Sequence, residues 1–193
     1  MSKLIVITAP SGAGKTTIVR HLLNKYNELD FSISATNRDM RKHERDGVDY
    51  YFLSTKEFKK RVQEEDFLEW EEVYDNQFYG TLKSEIDRIW AKGKHIIFDI
   101  EVKGATNIKK MYPEAMVVFI RPPSLQVLID RLKKRKTETE ASLKKRIARV
   151  KEELTYENKF DRVLVNDVLE VTLKEAELMI ESFTGIKDPD EEE

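Results

Sequence analysis

The chain has 193 residues, enough for one main domain with a core of its own, and its net charge is only −2 although 36% of its residues are charged. That balance argues against nucleic-acid binding through a general basic surface, and the lack of cysteine excludes a disulfide framework, a thiolate metal site and a cysteine nucleophile. No run approaches the roughly 20 apolar residues of a membrane span, and Leu4-Ile5-Val6-Ile7 is far too short for a signal-peptide core.

The first apolar run, Leu4 to Thr8, reads as a strand, and Ala9-Pro10-Ser11-Gly12-Ala13-Gly14-Lys15-Thr16 leads from it into a helix expected over Lys15–Tyr26. Phe31 to Ala35 is the next strand run. From Arg38 to Lys83 the alternation breaks: short aromatic segments (Tyr50-Tyr51-Phe52, Leu68 to Tyr74, Phe78-Tyr79) surround a helix over Thr55–Glu64, with capping-box spacing at Ser54 and Glu57. This stretch reads as an inserted subdomain with its own strands, about 35–81, and Trp70, Tyr74 and Phe78 are assigned to its core.

Further strands are expected over Ile96–Ile100, Met116–Ile120 and Val163–Val165, and helices over Val102–Met111, Ser124–Arg135 and Val171–Ser182, with Pro113, Pro122 and Pro123 at the joints. Arg131 to Arg149 is a basic region in two helical halves joined at Lys136-Thr137-Glu138-Thr139, and Asp188 to Glu193 is an acidic end expected to lack fixed structure. Short apolar runs alternating with amphipathic helices predict an α/β fold, a parallel sheet covered by helices on both faces. The expected layout is a single domain with its core at 1–34, 82–130 and 150–187, the inserted subdomain, and a helical lid at about 131–149.

The loop after the first strand carries the clearest chemistry. Gly12 and Gly14 leave room for backbone N–H groups to face phosphate oxygens at a helix N-terminus. Lys15 would reach the β- and γ-phosphates and the Thr16 hydroxyl would ligate Mg²⁺, so the set Ser11, Gly12, Ala13, Gly14, Lys15, Thr16 and Thr17 is expected to bind a nucleoside triphosphate. Ala9 stands where G-x-x-x-x-G-K-[ST] has its first glycine. The loop is silent on the second substrate.

That substrate is addressed by Ser34-Ala35-Thr36-Asn37-Arg38-Asp39-Met40-Arg41, then Glu44, Gly47 and Asp49-Tyr50-Tyr51-Phe52. Two arginines just past a strand end, followed by a tyrosine, suit the grip of a dianionic phosphate, although either arginine alone is better read as a solvated loop charge. These residues do not stand alone. Together with Phe67-Leu68-Glu69-Trp70, Phe78-Tyr79-Gly80-Thr81, Asp99 to Ala105, the run from Arg131 through Glu140 to Arg146, and Val165-Asn166-Asp167, the chain resembles the guanylate kinase family from Ile5 to about Ile180.

The resemblance implies a P-loop kinase fold, ATP and GMP as small-molecule substrates and Mg²⁺ as cofactor. It implies that Arg38, Arg41, Tyr50 and Tyr79 hold the GMP phosphate and that Ser34, Glu69 and Thr81 read the base. Guanine offers N1–H and its 2-amino group as adjacent donors to one carboxylate, which adenine cannot match, so Glu69 is assigned base choice. Asp99, ending the strand Ile96-Ile97-Phe98, can hold Mg²⁺ through water opposite the loop, and the resemblance places both it and Glu101 near GMP.

Arg131, Arg135 and Arg146 match lid arginines that close over the triphosphate, with Arg149 a weaker candidate, and Asn166 matches a residue contacting adenine. Lys103 stands where the family often has Gln, and Lys136 stands where the lid turn has Gly. His21, His43 and His95 show neither metal-ligand spacing nor a partner and are assigned to structure. Two other readings share parts of this pattern: a kinase for another nucleoside monophosphate, with the same loop and no reason for Glu69, and a protein-interaction module of the same fold, expected to lose the ATP machinery. The expected location is cytoplasmic, with no membrane or nucleic-acid partner, as monomer or homo-oligomer.

Overall fold

A computed structural model describes residues 2–134 and 140–189. Five parallel strands form the main sheet in the order β2 (Leu29–Phe31), β7 (His95–Asp99), β1 (Leu4–Thr8), β8 (Met116–Arg121) and β9 (Arg162–Val165). β1 is central and covered on both sides, which is why it reads as a continuous apolar run. Ile5 and Ile7 face one core with Leu22 of α1 (Lys15–Lys25), Leu128 of α5 (Leu125–Lys134), Val150 of α6 (Glu140–Leu154) and Ile180 of α7 (Leu169–Thr184). Leu4 and Val6 face the other, with Ile86 and Ile89 of α3 (Lys83–Trp90) and Ile108 of α4 (Val102–Met111). The expected sheet-and-helix architecture is the one observed. The limits expected for the lid, 131 and 149, fall inside α5 and α6.

A second sheet of four short strands runs β4 (Tyr51–Phe52), β3 (Ser34–Thr36), β6 (Gln77–Leu82), β5 (Phe67–Tyr74). β6 is antiparallel to both its neighbours, and β4 is parallel to β3. Its own core forms where α2 (Thr55–Gln63) sets Phe58 against Phe67 and Phe78, ring centroids 4.4 and 5.5 Å apart. The Glu57 N–H donates to Ser54 Oγ at 3.1 Å as the capping spacing requires, while the Glu57 carboxylate accepts from Arg61 Nε instead of turning back to Ser54.

Several expectations are corrected. The run Phe31 to Ala35 is two strands in two sheets, because the Ser32 N–H is taken by the Ile97 carbonyl (3.0 Å) and the Ile33 N–H by the Glu85 carboxylate (2.8 Å), where the chain crosses over. The helix α3 was not anticipated, although Leu82, Ile86 and Ile89 lie at helical spacing and are buried. Of the three aromatics assigned to the subdomain core only Phe78 is buried; Trp70 is 45% exposed, edge-on to Phe78 at the rim, and Tyr74 lines the cavity described below. His21 has a partner after all, its Nε2 2.6 Å from Glu177 Oε1. Asp188, expected to be unstructured, is buried and paired with Lys25 (2.8 Å) and Lys174 (3.1 Å), while residues 190–193 lie outside the described residues.

Candidate active site

A cavity of about 270 Å³ opens between the C-terminal end of the main sheet and the four-stranded sheet. Its floor is the loop from β1 to α1. Gly12 and Gly14 have φ of +90° and +100°, which L side chains rarely adopt, and no side chain caps the start of α1, so the N–H groups ahead of Thr17, whose own N–H donates to the Gly14 carbonyl at 3.1 Å, are left for a ligand. Gly14 has a second reason: a Cβ there would stand 2.2 Å from Asn166 Nδ2. Asn166 is buried and that nitrogen donates to the Ala13 carbonyl at 2.7 Å, so it braces the loop from β9.

Lys15 leaves the loop toward the end of β7. Its Nζ is 2.8 Å from Asp99 Oδ1 and donates to the Ile100 carbonyl at 3.1 Å. Burial acts to lower the Lys15 ammonium, but Asp99 and Glu101 outweigh it and hold it above its usual range. Thr16 donates to the other Asp99 oxygen at 3.1 Å. Register makes this meeting possible, since Asp99 sits opposite Ile7 of β1 just before the loop begins. Thr16 and Asp99 thus offer two hard oxygen ligands side by side, and the described residues contain no cluster of three or more His, Cys, Asp or Glu that could cage an ion. A donor set this small suits Mg²⁺, which keeps most of its waters or takes phosphate oxygens.

The opposite wall is built from side chains. Strand pairing places Ser34 and Glu69 on either side of Thr81, across β3, β6 and β5. Thr81 donates to Glu69 Oε1 at 2.7 Å, and burial pushes the Glu69 carboxyl up to about 7 despite that bond. A Cβ on Gly104 would come within 2.5 Å of Glu69 Oε2, so α4 can pack this close only through glycine. Toward the outer end, Arg38 donates to both oxygens of Glu44 (2.8 and 2.6 Å) and lies 4.9 Å from the Tyr50 ring centroid. That bond to Arg38 holds the Glu44 carboxyl down at about 2, and Glu44 also accepts from the Arg41 N–H at 2.8 Å. Tyr50, its hydroxyl pushed up to about 12 by burial, meets Tyr79 edge-on at 6.0 Å.

Most of the residues singled out by sequence therefore line one cavity: Ser11 to Thr17, Ser34, Arg38, Arg41, Tyr50, Glu69, Tyr79, Asp99, Glu101, Arg146 and the weaker candidate Arg149. Thr81 stands behind Glu69. Arg131 and Asn166 are outside the lining and joined to each other, Arg131 donating to the Asn166 carbonyl at 3.3 Å. Arg135 and the turn at Lys136 to Thr139 lie outside the described residues.

A family model described as guanylate kinase matches residues 1–183. The guanylate kinase of Bacteroides fragilis is 46% identical over 186 residues, covering 96% of this chain and 91% of that protein. That of Salinibacter ruber is 47% identical over 182 residues, covering 93% and 96%. The chain belongs to the guanylate kinase family. In three dimensions it resembles the crystal structure of guanylate kinase from Anaplasma phagocytophilum, with a TM-score of 0.74 at 25% identity over 94% of this chain and 85% of that one.

Two acidic residues at the site have no role in the motifs. Glu44 appeared only as part of the signature, yet it fixes both Arg38 and the Arg41 backbone, and its position between the two arginines and Tyr50 was the available signal. Glu71 follows Glu69 at strand spacing and shares its cavity-facing side. Neither Glu71 oxygen has a hydrogen bond among the described residues; Lys103 Nζ and Arg149 Nη2 balance its charge from 3.5 and 3.6 Å. Lys103, at the position where guanylate kinases often have Gln, thus acquires a partner that the linear sequence does not reveal.

Proposed function

We propose that the protein transfers the γ-phosphoryl group of ATP to GMP, giving ADP and GDP, as a cytoplasmic enzyme of purine nucleotide recycling. The observation that carries this reading is the row Ser34, Thr81 and Glu69 on three neighbouring strands, in which Ser34 and Glu69 line the same cavity as Lys15, Thr16 and Asp99 and Thr81 braces Glu69 from behind. A buried carboxylate at that place accepts two adjacent donors from guanine and would be left half-paired by adenine.

In this reading the loop from Ser11 to Thr17 cradles the triphosphate, and Arg38, Arg41, Tyr50 and Tyr79 hold the GMP phosphate at the far end. Arg38 is aimed by Glu44 before any ligand arrives, so little ordering is needed on binding. Glu69 reads the base with Ser34 and Thr81, and Glu101 borders it from the start of α4. Thr16 and Asp99 would hold Mg²⁺, which supplies positive charge to the phosphate oxygens. Arg131, Arg135 and Arg146 are assigned to the lid at 131–149, the acceptor subdomain to 35–81, and Asn166 to the adenine side, where its nitrogen already serves the loop.

The reaction needs no nucleophilic side chain, because the attacking group is an oxygen of the GMP phosphate. It displaces ADP at the γ-phosphorus, so one P–O bond forms as another breaks, and the protein's part is alignment and charge neutralisation. Lys15, raised by Asp99 and Glu101, stays protonated throughout the physiological range.

The deciding experiment is ATP-dependent phosphorylation of GMP, AMP, UMP and CMP side by side, with a coupled ADP readout. Turnover confined to GMP is the expected result. Turnover on another nucleotide would mean the Glu69 row has been misread, and none on any, from folded protein, would favour a binding role for the cavity.

A further inference from the structure

Arg149 keeps company unlike that of an arginine that binds phosphate. It lies one turn after Arg146 on α6, and its side chain is 19% exposed. Each of its three nitrogens faces a protein acceptor. Nε donates to Glu153 Oε1 on its own helix at 2.7 Å, Nη1 donates to the Val73 carbonyl of β5, and Nη2 lies 3.6 Å from Glu71 and 3.7 Å from Glu101. The guanidinium also covers the Tyr74 ring at 5.4 Å. One side chain therefore ties three parts of the molecule together: α6, the four-stranded sheet, and the junction of β7 with α4.

The charge balance makes this tie matter. Glu71, Glu101 and Glu153 converge on Arg149; Lys103, 3.5 Å from Glu71 and 4.0 Å from Glu152, is a second cation beside this group, and Lys15 feels the charge of Glu101. Glu71 and Glu153 are nearly buried, so their repulsion is poorly screened by solvent. Without the guanidinium, Glu71 and Glu101 would push apart. They border Glu69, the residue assigned to the base.

We propose that Arg149 is a positioning residue of the acceptor site: it holds Glu71 and Glu101 beside Glu69 and docks α6 on β5, and it is not one of the arginines that touch the triphosphate. The proposal rests on the GMP-phosphorylating reading of the cavity. Its signature is a defect confined to GMP and relieved by removing the carboxylate that Arg149 neutralises.

The test is calorimetric binding of GMP and of ATP to the wild type, Arg149→Met, and Arg149→Met with Glu71→Gln. Arg149→Met should weaken GMP about tenfold and change ATP affinity by less than about twofold, and adding Glu71→Gln should recover most of the loss. Weakened ATP binding, or no recovery in the double variant, would overturn the proposal; equal GMP affinity in wild type and Arg149→Met would do the same. A wild type that binds ATP and no GMP would instead refute the acceptor reading itself. Should Arg149→Met fail to fold, Arg149→Lys keeps the charge without the fork, and a GMP loss of about threefold with ATP unmoved is expected.

Discussion

On one side of the cavity the ligand-facing groups are backbone amides at the start of α1 plus the pair Lys15 and Asp99; on the other they are side chains on short strands, several of them carboxylates. The first side is shaped by glycine geometry at Gly12 and Gly14 and by close packing against Asn166. Such a wall fits any triphosphate, since every nucleotide presents the same oxygens. The second is shaped by strand register, with Ser34, Thr81 and Glu69 in one row and Gly104 yielding space to Glu69. It can select, because buried side chains tolerate a mismatched partner badly. Generic grip and selective reading are thus assigned to different sheets.

The largest effect should come from the generic side. Lys15→Ala removes the only cation paired with Asp99 among the described residues, and turnover should fall on the order of 1000-fold. GMP affinity, measured by calorimetry, should stay within about threefold, because Lys15 is assigned to the triphosphate. Near-normal turnover in a folded variant would take Lys15 out of the chemistry and leave the first wall as mere scaffold.

Next comes the selective side. Glu69→Ala should lower the preference for GMP over AMP about 100-fold while ATP binding holds. Competing the two acceptors in one reaction gives the ratio directly. A ratio that does not move would shift base reading to Glu101 or Glu71, the neighbouring carboxylates of that wall.

The same contrast explains what could be read from sequence. The first wall is local: a strand, an eight-residue loop and a helix follow one another, so the apolar run at Leu4 and the Gly12, Gly14, Lys15, Thr16 order were legible as they stood. The partner Asp99 was legible too, because it ends an apolar strand. The second wall depends on pairings between residues far apart in sequence. Glu69 with Thr81 came only through family resemblance, and Glu71 with Lys103 and Arg149 was invisible, since no local period encodes a contact across 32 and 78 positions. The break at Ser32 was hidden because Phe31-Ser32-Ile33-Ser34-Ala35 keeps one unbroken strand-like pattern while the chain changes sheets. Trp70 was misplaced because composition alone cannot tell a rim from a core.

A third prediction uses the cost of burying Glu69. Its carboxyl is raised from 4.5 to about 7, so the folded protein holds that proton longer than the unfolded chain. The stabilising contribution is fully present below pH 4.5 and is lost as pH rises through 7. Glu69→Gln, neutral at every pH, should therefore gain about 2 kcal/mol in stability relative to wild type between pH 5 and pH 8. Urea unfolding at the two pH values measures it, and a constant difference would show that the carboxyl is not held up by burial.

The smallest effect should be at Glu44, which supports the second wall through Arg38 and is chemically unlike Glu69. Its carboxylate aims Arg38 through two hydrogen bonds, and the Tyr50 and Phe52 rings also confine the guanidinium, at 4.9 and 5.5 Å. Glu44→Gln keeps one acceptor and removes the charge, so GMP affinity should fall no more than about tenfold, with ATP unaffected. Because Arg38 holds Glu44 down at about 2, this deficit should be the same at pH 5 and pH 8. The Glu69 carboxyl titrates within that range and the Glu44 carboxyl below it, so comparing GMP affinity of wild type and Glu44→Gln across pH separates base reading from phosphate grip. If the Glu44→Gln deficit itself changed with pH, the two functions would be coupled through Arg38, and the division of labour within the second wall would not hold.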